Sequence, residues 1–384
     1  MTPPRSIVIA GESIAGITAA RELRELGHTG PLTLIGAEDR GAYARPPLSK
    51  AVLKDDSSDS TLGYRLDGLG IDVVRSPAVT ADLDRRVLVT ADGRDTGYDA
   101  LIIATGARAR RIGGPGQRGE AVLRTLDDAR ELRTRLDAAG SVLVVGAGFL
   151  GMEVVSACVT RDIPVTVVDV GPPLARVLGP FLSGVITARA EEQGVRVVVT
   201  EGPAAMTGDP VDGVRLADGT VLTADLVVTC CGEVPNTDWL AGTGLAGPLG
   251  VGIDLACATA APAVFAAGDV THLRADLGLP VVRTPFWSNA VAQGKAAAAS
   301  ALGLGPAGPP FDDYFWTEVL GLSVKVVGPL PPAGEPDVVV GSVPGGSALL
   351  TWLGRDGRST VVSYGRRIPV PKPRAIAAGA HIRG

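Results

Sequence analysis

Two stretches of this chain, 135 positions apart from Gly11 to Gly146, follow one short plan: an apolar run of four, a glycine turn, then a helical period. The first is "SIVIAGESIAGITAARELRELG" at 6–27 and the second "VLVVGAGFLGMEVVSACVTR" at 142–161. In the first, Ile7–Ala10 reads as a strand. Ile14, Ile17, Ala20 and Leu23 then recur at helical spacing, and "LTLIG" at 32–36 reads as the next strand. In the second, Val142–Val145 is the strand, Phe149–Arg161 the helix and Val165–Val168 the strand that follows. Each is a β-α-β unit. Two in one chain of 384 residues, a length that suits two or three domains, predict two dinucleotide folds.

The second loop, Gly146-x-Gly148-x-x-Gly151, follows a strand and opens a helix, the context that makes this spacing informative. Its first glycine permits a tight turn, its second lets backbone approach a pyrophosphate, and its third lets helix and strand pack closely. The phosphate then sits at the positive end of the helix. Asp169 follows 18 residues after Gly151, at the end of the next strand. A carboxylate there accepts from both ribose hydroxyls and repels a 2′-phosphate, which favours NAD over NADP. The first loop is a looser copy. Gly11 and Gly16 keep the turn and the helix packing, and Ser13 is small and can donate a hydrogen bond. Glu12 puts a carboxylate beside two phosphates, so its side chain is expected to point away from them. After "LTLIG" comes Ala37 and then Glu38, to which the ribose contact of this unit is assigned. Hydride chemistry needs a donor and an acceptor, so two dinucleotide sites suggest resident FAD and visiting NADH. Asp269, in "AAGD", suits a polyol hydroxyl such as one on the FAD ribityl chain.

Further strands end in glycine-bearing turns at 100–107, 225–236 and 263–269, and "GLGPAGPPFDD" at 303–313 reads as a boundary. Beyond it "GLSVKVVG", "DVVVGSV", "ALLTWLG" and "STVVSYG" predict a small antiparallel sheet. The net charge of −5, with both signs dispersed, argues against nucleic acid. No apolar run reaches the roughly 18 residues of a membrane span, and the N-terminus does not resemble a signal peptide; a cytoplasmic protein is expected. From Thr351 onward Arg355, Arg358, Arg366, Arg367, Lys372, Arg374 and Arg383 face Asp356 alone, a basic region suited to an acidic partner. Cys158, Cys230, Cys231 and Cys257 show no C-x-x-C spacing, and buried thiols are expected at Cys230–Cys231.

Eight stretches carry a family resemblance: "RPPLSK" (45–50), "ATGARAR" (104–110), "LRTLDDA" (123–129), "GAGFLGMEV" (146–154), "EVPNTDWLAGTGL" (233–245), "FAAGDVTHL" (265–273), "WSNAVAQGKAAA" (287–298) and "DYFWTE" (313–318). In these the chain resembles the FAD-dependent ferredoxin reductases that serve class I cytochromes P450 and Rieske oxygenases. The resemblance implies an α/β fold with two Rossmann-like domains, for FAD and NAD, and a small C-terminal α+β domain. An FAD domain (1–110 and 233–311) is interrupted by an NAD domain (111–232), and 312–384 closes over the flavin. It implies that Gly11, Ser13, Ala15 and Gly16 hold the pyrophosphate and that Arg45, Lys50, Val79, Thr105, Gly106, Arg124, Gly268, Asp269 and Trp287 contact FAD. Lys50 would lie near flavin N5 and pair with Glu153 on the NAD loop's helix, and Trp316 would approach the flavin from the C-terminal domain. The partner implied is a [2Fe–2S] ferredoxin, docked by Arg108, Arg110, Arg111 and the basic C-terminal residues. The chain lacks the C-x-x-x-x-C of the disulfide-reductase branch, so thiol chemistry at the flavin is not expected. Pro285–Phe286 and Glu318–Val319 depart from the family's usual residues. They leave open a flavoenzyme acting on a small molecule or oxygen, beside a third reading as a flavin-bound redox sensor.

Overall fold

The computed structural model describes all residues except 1–3, 55–59, 64–65, 279–280, 282, 306–307, 309–310, 355–357, 367 and 380–384. The elements that matter here are, in chain order, β1 (Ile7–Ala10), α1 (Ile14–Glu25), β2 (Leu32–Gly36), β3 (Ile71–Arg75), β4 (Ala100–Ile103), α2 (Leu126–Ala138), β5 (Val142–Val145), α3 (Phe149–Val159), β6 (Val165–Asp169), α4 (Ala175–Glu192), β7 (Arg196–Val199) and β8 (Leu226–Thr229). They continue with β9 (Val264–Ala266), α5 (Trp287–Ala301), β10 (Tyr314–Val319), β11 (Leu322–Val327), β12 (Val338–Ser342), β13 (Ser347–Trp352), β14 (Thr360–Tyr364) and α6 (Pro371–Ala377). The chain folds into two compact units. One comprises 1–44, 60–108 and 233–312, the other 45–59, 109–232 and 313–384.

The first unit is built on a parallel sheet ordered β9-β4-β1-β2-β3. Ile7 pairs with Leu32 on one side and Ala100 on the other. Every residue of β1, β2 and β4 is buried. That is why these strands read as unbroken apolar runs rather than alternating ones: a parallel sheet is covered on both faces. Helix α1 buries Ile17, Ala19, Ala20 and Leu23 and leaves Arg21, Glu22 and Glu25 toward water. Helix α5 comes against α1 at Gly294, where a Cβ would lie 2.6 Å from the Ala15 carbonyl oxygen. An alanine-rich sequence with one glycine therefore lets two backbones meet.

The second unit holds a parallel sheet ordered β7-β6-β5-β8 and, separately, an antiparallel sheet ordered β10-β11-β14-β13-β12. Helix α3 is buried at every position from Gly151 to Cys158, which its near-uniform apolar sequence permits. It ends at Val159, two residues earlier than its periodicity suggests. The C-terminal sheet has five strands, because "YFWTEV" forms β10 and pairs in register with β11, Trp316 opposite Lys325. Its alternation is regular: Phe315, Thr317 and Val319 are buried while Glu318 is exposed. The pattern was hard to see in the sequence because Thr317 occupies an inward position.

Candidate functional site

The first unit carries one cradle. Gly11 adopts φ +130°, and a Cβ there would sit 2.0 Å from the Ala104 carbonyl oxygen at the end of β4. A Cβ on Gly16 would lie 1.8 Å from the Gly11 carbonyl oxygen. Both positions therefore exclude any side chain, and the turn folds tightly onto the start of α1. Ser13 is the N-cap in extended conformation, and its hydroxyl makes no capping bond. The first-turn N–H groups of a helix point outward and carry partial positive charge, an arrangement suited to an anion. Beside this end, Gly268 turns at φ +83°, with Ala15 Cβ 3.0 Å from where its own Cβ would be. Asp269 follows it. Trp287 opens α5 and is half-buried against the apolar core.

Three polar side chains that sequence reading did not single out fix this cradle, Gln293 buried and Asn236 and Arg283 partly so. Gln293 Oε1 accepts from Gly268 N at 2.7 Å and from Thr271 Oγ1 at 3.1 Å. Asn236 and Thr105 clamp each other: Thr105 Oγ1 donates to the Asn236 carbonyl at 2.8 Å, and Asn236 Nδ2 donates to the Thr105 carbonyl at 3.0 Å. The Gly106 carbonyl accepts from Asn236 N at 2.9 Å. Arg283 pairs with Glu233 at 2.7 Å and donates to the Asp269 carbonyl at 2.5 Å. A polar Gln293 inside an alanine run was the visible signal; Arg283 offered none. Glu38 accepts from Tyr43 Oη at 2.6 Å. Val79 is 48% exposed on a separate antiparallel strand, 78–82. Glu12 is turned to the end of β2 and pairs with Arg75 at 3.2 Å.

The second unit repeats the construction. A Cβ on Gly151 would lie 1.8 Å from the Gly146 carbonyl oxygen, the same figure as in the first loop, and Gly146 (φ +108°) abuts the Cys230 carbonyl. Gly148 has open space where its side chain would be. Asp169 lies 11% exposed at the end of β6. Its Oδ2 accepts from Ala147 N, inside the loop, at 2.7 Å and from Arg176 at 3.3 Å, and its Oδ1 accepts from Val170 N at 2.6 Å. The carboxylate thus braces the loop as well as standing at the strand's end.

In the same unit Lys50 Nζ lies 2.8 Å from Glu153 Oε1, the side chains 13% and 6% exposed. Glu153 also accepts from Thr317 Oγ1 at 2.6 Å and from Ser49 Oγ. Lys50 donates to the Pro46 carbonyl at 3.1 Å. A buried carboxylate is tolerated only when paired and hydrogen-bonded, and Ser49 and Thr317 complete that requirement; neither was predicted. Arg45 donates to the Arg124 carbonyl at 2.7 Å, just before the Thr125–Asp128 capping box that opens α2. Trp316 is not brought to the Lys50–Glu153 pair. Thr317 and Phe315 face α3, Phe315 with its ring 5.0 Å from Phe149, while Trp316 projects from the other face of β10 and stacks on Tyr314 at 5.9 Å. Of the arginines expected to meet a partner, Arg108 pairs with Asp238 at 2.9 Å and Arg111 donates to the Glu120 carbonyl at 2.9 Å. Arg355, Arg367 and Arg383 lie outside the described residues.

These features match one family description, pyridine nucleotide-disulphide oxidoreductase, over residues 5–294. The chain belongs to that family. Within the pyridine nucleotide-disulphide oxidoreductases it is 34% identical to the ferredoxin reductase component of a chlorobenzene dioxygenase from a Cupriavidus species, covering 98% of this chain and 92% of that one. It is also 34% identical to rhodocoxin reductase of Rhodococcus erythropolis, over 91% and 84% of the two chains. The reductase in a crystal structure of the covalent putidaredoxin reductase–putidaredoxin complex superposes with a TM-score of 0.85 at 29% identity, over 97% and 93%. The chain is accordingly an oxidoreductase of α/β fold, in a family that binds FAD and a nicotinamide nucleotide. The first cradle fits FAD by its construction: two glycine positions closed to side chains, an uncapped Ser13 and a buried carboxylate oxygen of Glu12 with no partner among the described residues. All four cysteines are free, and burial pushes Cys158 and Cys257 up to about 12 and Cys231 to about 11. No helix among the described residues is long and apolar enough to cross a membrane.

Proposed function

We propose that this protein is an NADH-dependent, FAD-containing reductase that passes electrons to a [2Fe–2S] ferredoxin serving a cytochrome P450 or Rieske oxygenase. The observation that carries the reading is the presence of two cradles of the same build, each ending a parallel strand and opening a helix, one in each of the two units. Bound FAD supplies the conversion of one hydride into two single electrons. Gly11, Ser13, Ala15 and Gly16 hold its pyrophosphate, Asp269 its polyol, and Gln293 and Arg283 keep the Asp269 turn in place. Gly146, Gly148 and Gly151 hold the pyrophosphate of NADH, and Asp169 accepts from its ribose. Lys50, held by Glu153, supplies a fixed positive charge where negative charge develops on reduction. Arg110 and Arg111 with Arg358, Arg366, Lys372 and Arg374 attract an acidic ferredoxin.

Anaerobic addition of NADH to the purified yellow protein tests donor and cofactor together: prompt bleaching is expected, and a protein that stays colourless after incubation with excess FAD would sink the reading. NADH-driven cytochrome c reduction that requires added ferredoxin supports the acceptor. One observation favours a second reading. Pro285–Phe286 precede α5, and Glu318 is exposed on β10, both in stretches where the chain departs from the family it resembles. A flavoenzyme with a small-molecule or oxygen acceptor would turn over rapidly without ferredoxin, and a redox sensor would be reduced by NADH only very slowly.

A further inference from the structure

Glu12 is the residue in the first loop that a phosphate cradle does not explain. Its place in the fold does. The carboxylate lies over the C-terminal end of β2: a Cβ built on Gly36 would be 2.4 Å from Glu12 Oε2 and 3.0 Å from Glu12 Cβ. Any side chain at position 36 would displace Glu12, so the glycine that ends β2 and the glutamate in the turn are complementary. In crossover nucleotide folds the adenosine ribose is held by a carboxylate presented from the end of the second strand. Here that strand ends in Gly36 and continues into Ala37, neither of which has a side-chain oxygen. The carboxylate occupying this place comes instead from the turn after β1.

Its two oxygens are not equivalent. Oε1 accepts from Arg75 Nη2 at 3.2 Å, from the end of β3. Oε2 is buried with no hydrogen-bond partner among the described residues, on a side chain only 6% exposed. A buried carboxylate oxygen without a donor is costly, and such an orphan marks a donor still to come. A phosphate offers none at neutral pH; a ribose hydroxyl does. Burial pushes the Glu12 carboxyl up against the pull of Arg75, with Glu38 adding to the rise, and a hydroxyl donated to Oε2 would relieve it.

We propose that Glu12 is the carboxylate that recognises the adenosine ribose of FAD, its Oε2 accepting from a ribose hydroxyl. The inference rests on the flavoprotein reading above and deepens it. It moves the ribose contact from Glu38, whose carboxylate already accepts from Tyr43, to the residue that the loop pattern makes look out of place.

The test uses the full chain stripped of flavin and refilled. Quenching of flavin fluorescence gives its affinity for FAD and for the FAD analogue whose adenosine ribose is 2′,3′-dideoxy. The wild type is expected to prefer FAD by about tenfold or more, the scale of a hydrogen bond to a charged group. Glu12→Ala is expected to reduce that preference to about twofold, and Glu12→Gln, which keeps the volume and a neutral acceptor, to an intermediate value. Far-ultraviolet circular dichroism checks that each variant is folded. If Glu12→Ala does not fold, Glu12→Gln decides, and an undiminished preference in it overturns the inference. Equal affinity of the wild type for FAD and the dideoxy analogue overturns it too, as does loss of the preference in Glu38→Ala but not in the Glu12 variants. Failure of the wild type to bind either flavin overturns the flavoprotein reading itself and the inference with it.

Discussion

Lys50 and Glu153 are 103 residues apart in sequence and 2.8 Å apart in the fold. Removing one member of a buried pair strands the other, at about 3–5 kcal/mol. Lys50→Met and Glu153→Gln should each lower the melting temperature and slow flavin reduction by NADH. The double variant, neutral at both places, should recover most of the stability but not the rate, since the charge itself is absent. Melting curves and stopped-flow absorbance separate the two effects; full recovery of the rate would show the pair to be structural only. Glu12 gives a second prediction. Burial raises its carboxyl above the usual carboxylate range. A raised folded-state value means the folded protein prefers the protonated form. Whatever stability this contributes is present below the unfolded-state value and is lost as pH rises through the folded-state value. Apoprotein carrying Glu12→Gln should therefore gain on wild type in thermal melts as pH rises from about 4.5 toward 8. A gap that narrows with rising pH would contradict the burial.

The turn that opens a helix is the unit of design here, and it occurs twice. Gly16 and Gly151 each face a carbonyl oxygen at 1.8 Å from a notional Cβ. Alanine at either must push α1 or α3 off its strand. Gly16→Ala should reduce flavin retained per polypeptide, with affinity falling more than about tenfold. Gly151→Ala should leave flavin content near that of wild type and weaken NADH binding by a similar factor. Flavin absorbance and NADH titration read the two independently, and loss of flavin in Gly151→Ala would mean the cradles are not assigned as proposed. Gln293→Leu belongs at this scale as well. It leaves the Gly268 N–H without its buried acceptor, which costs about 1–3 kcal/mol, while the Thr271 hydroxyl keeps the Gly268 carbonyl at 2.8 Å. Lower flavin retention is expected, because the Asp269 turn loses its brace.

For the molecule as a whole, the acceptor is a question of charge. The protein is net acidic at −5, yet Arg358, Arg366, Lys372 and Arg374 lie in its last 30 residues. If ferredoxin is drawn in by such residues, added salt should slow ferredoxin-coupled cytochrome c reduction while leaving ferricyanide reduction nearly unchanged. Arg110→Glu should act in the same direction. Equal sensitivity of both assays would place the salt effect on NADH or flavin rather than on docking.

Much of this was legible in one dimension because it is local. Strand, glycine turn and helix lie within 20 residues, the apolar runs announce a sheet covered on both faces, and the carboxylate of Asp169 comes at a fixed distance after its loop. Short-range sterics of the backbone dictate all three, so β1, β2, β5 and β6 begin where the pattern says, while α3 stops short where packing rather than periodicity sets its end. What only the tertiary structure decided is long-range. Ser49 and Thr317 reach Glu153 from segments before and after it, Gln293 bonds a turn 25 residues earlier, and β10 turns Trp316 away from the face that Thr317 presents. Glu12 shows the difference most sharply. By sequence it is a charge in the wrong place; in three dimensions a missing side chain at Gly36 makes room for it. Which buried polar atom meets which partner depends on how separate segments share space, and no local rule carries that information.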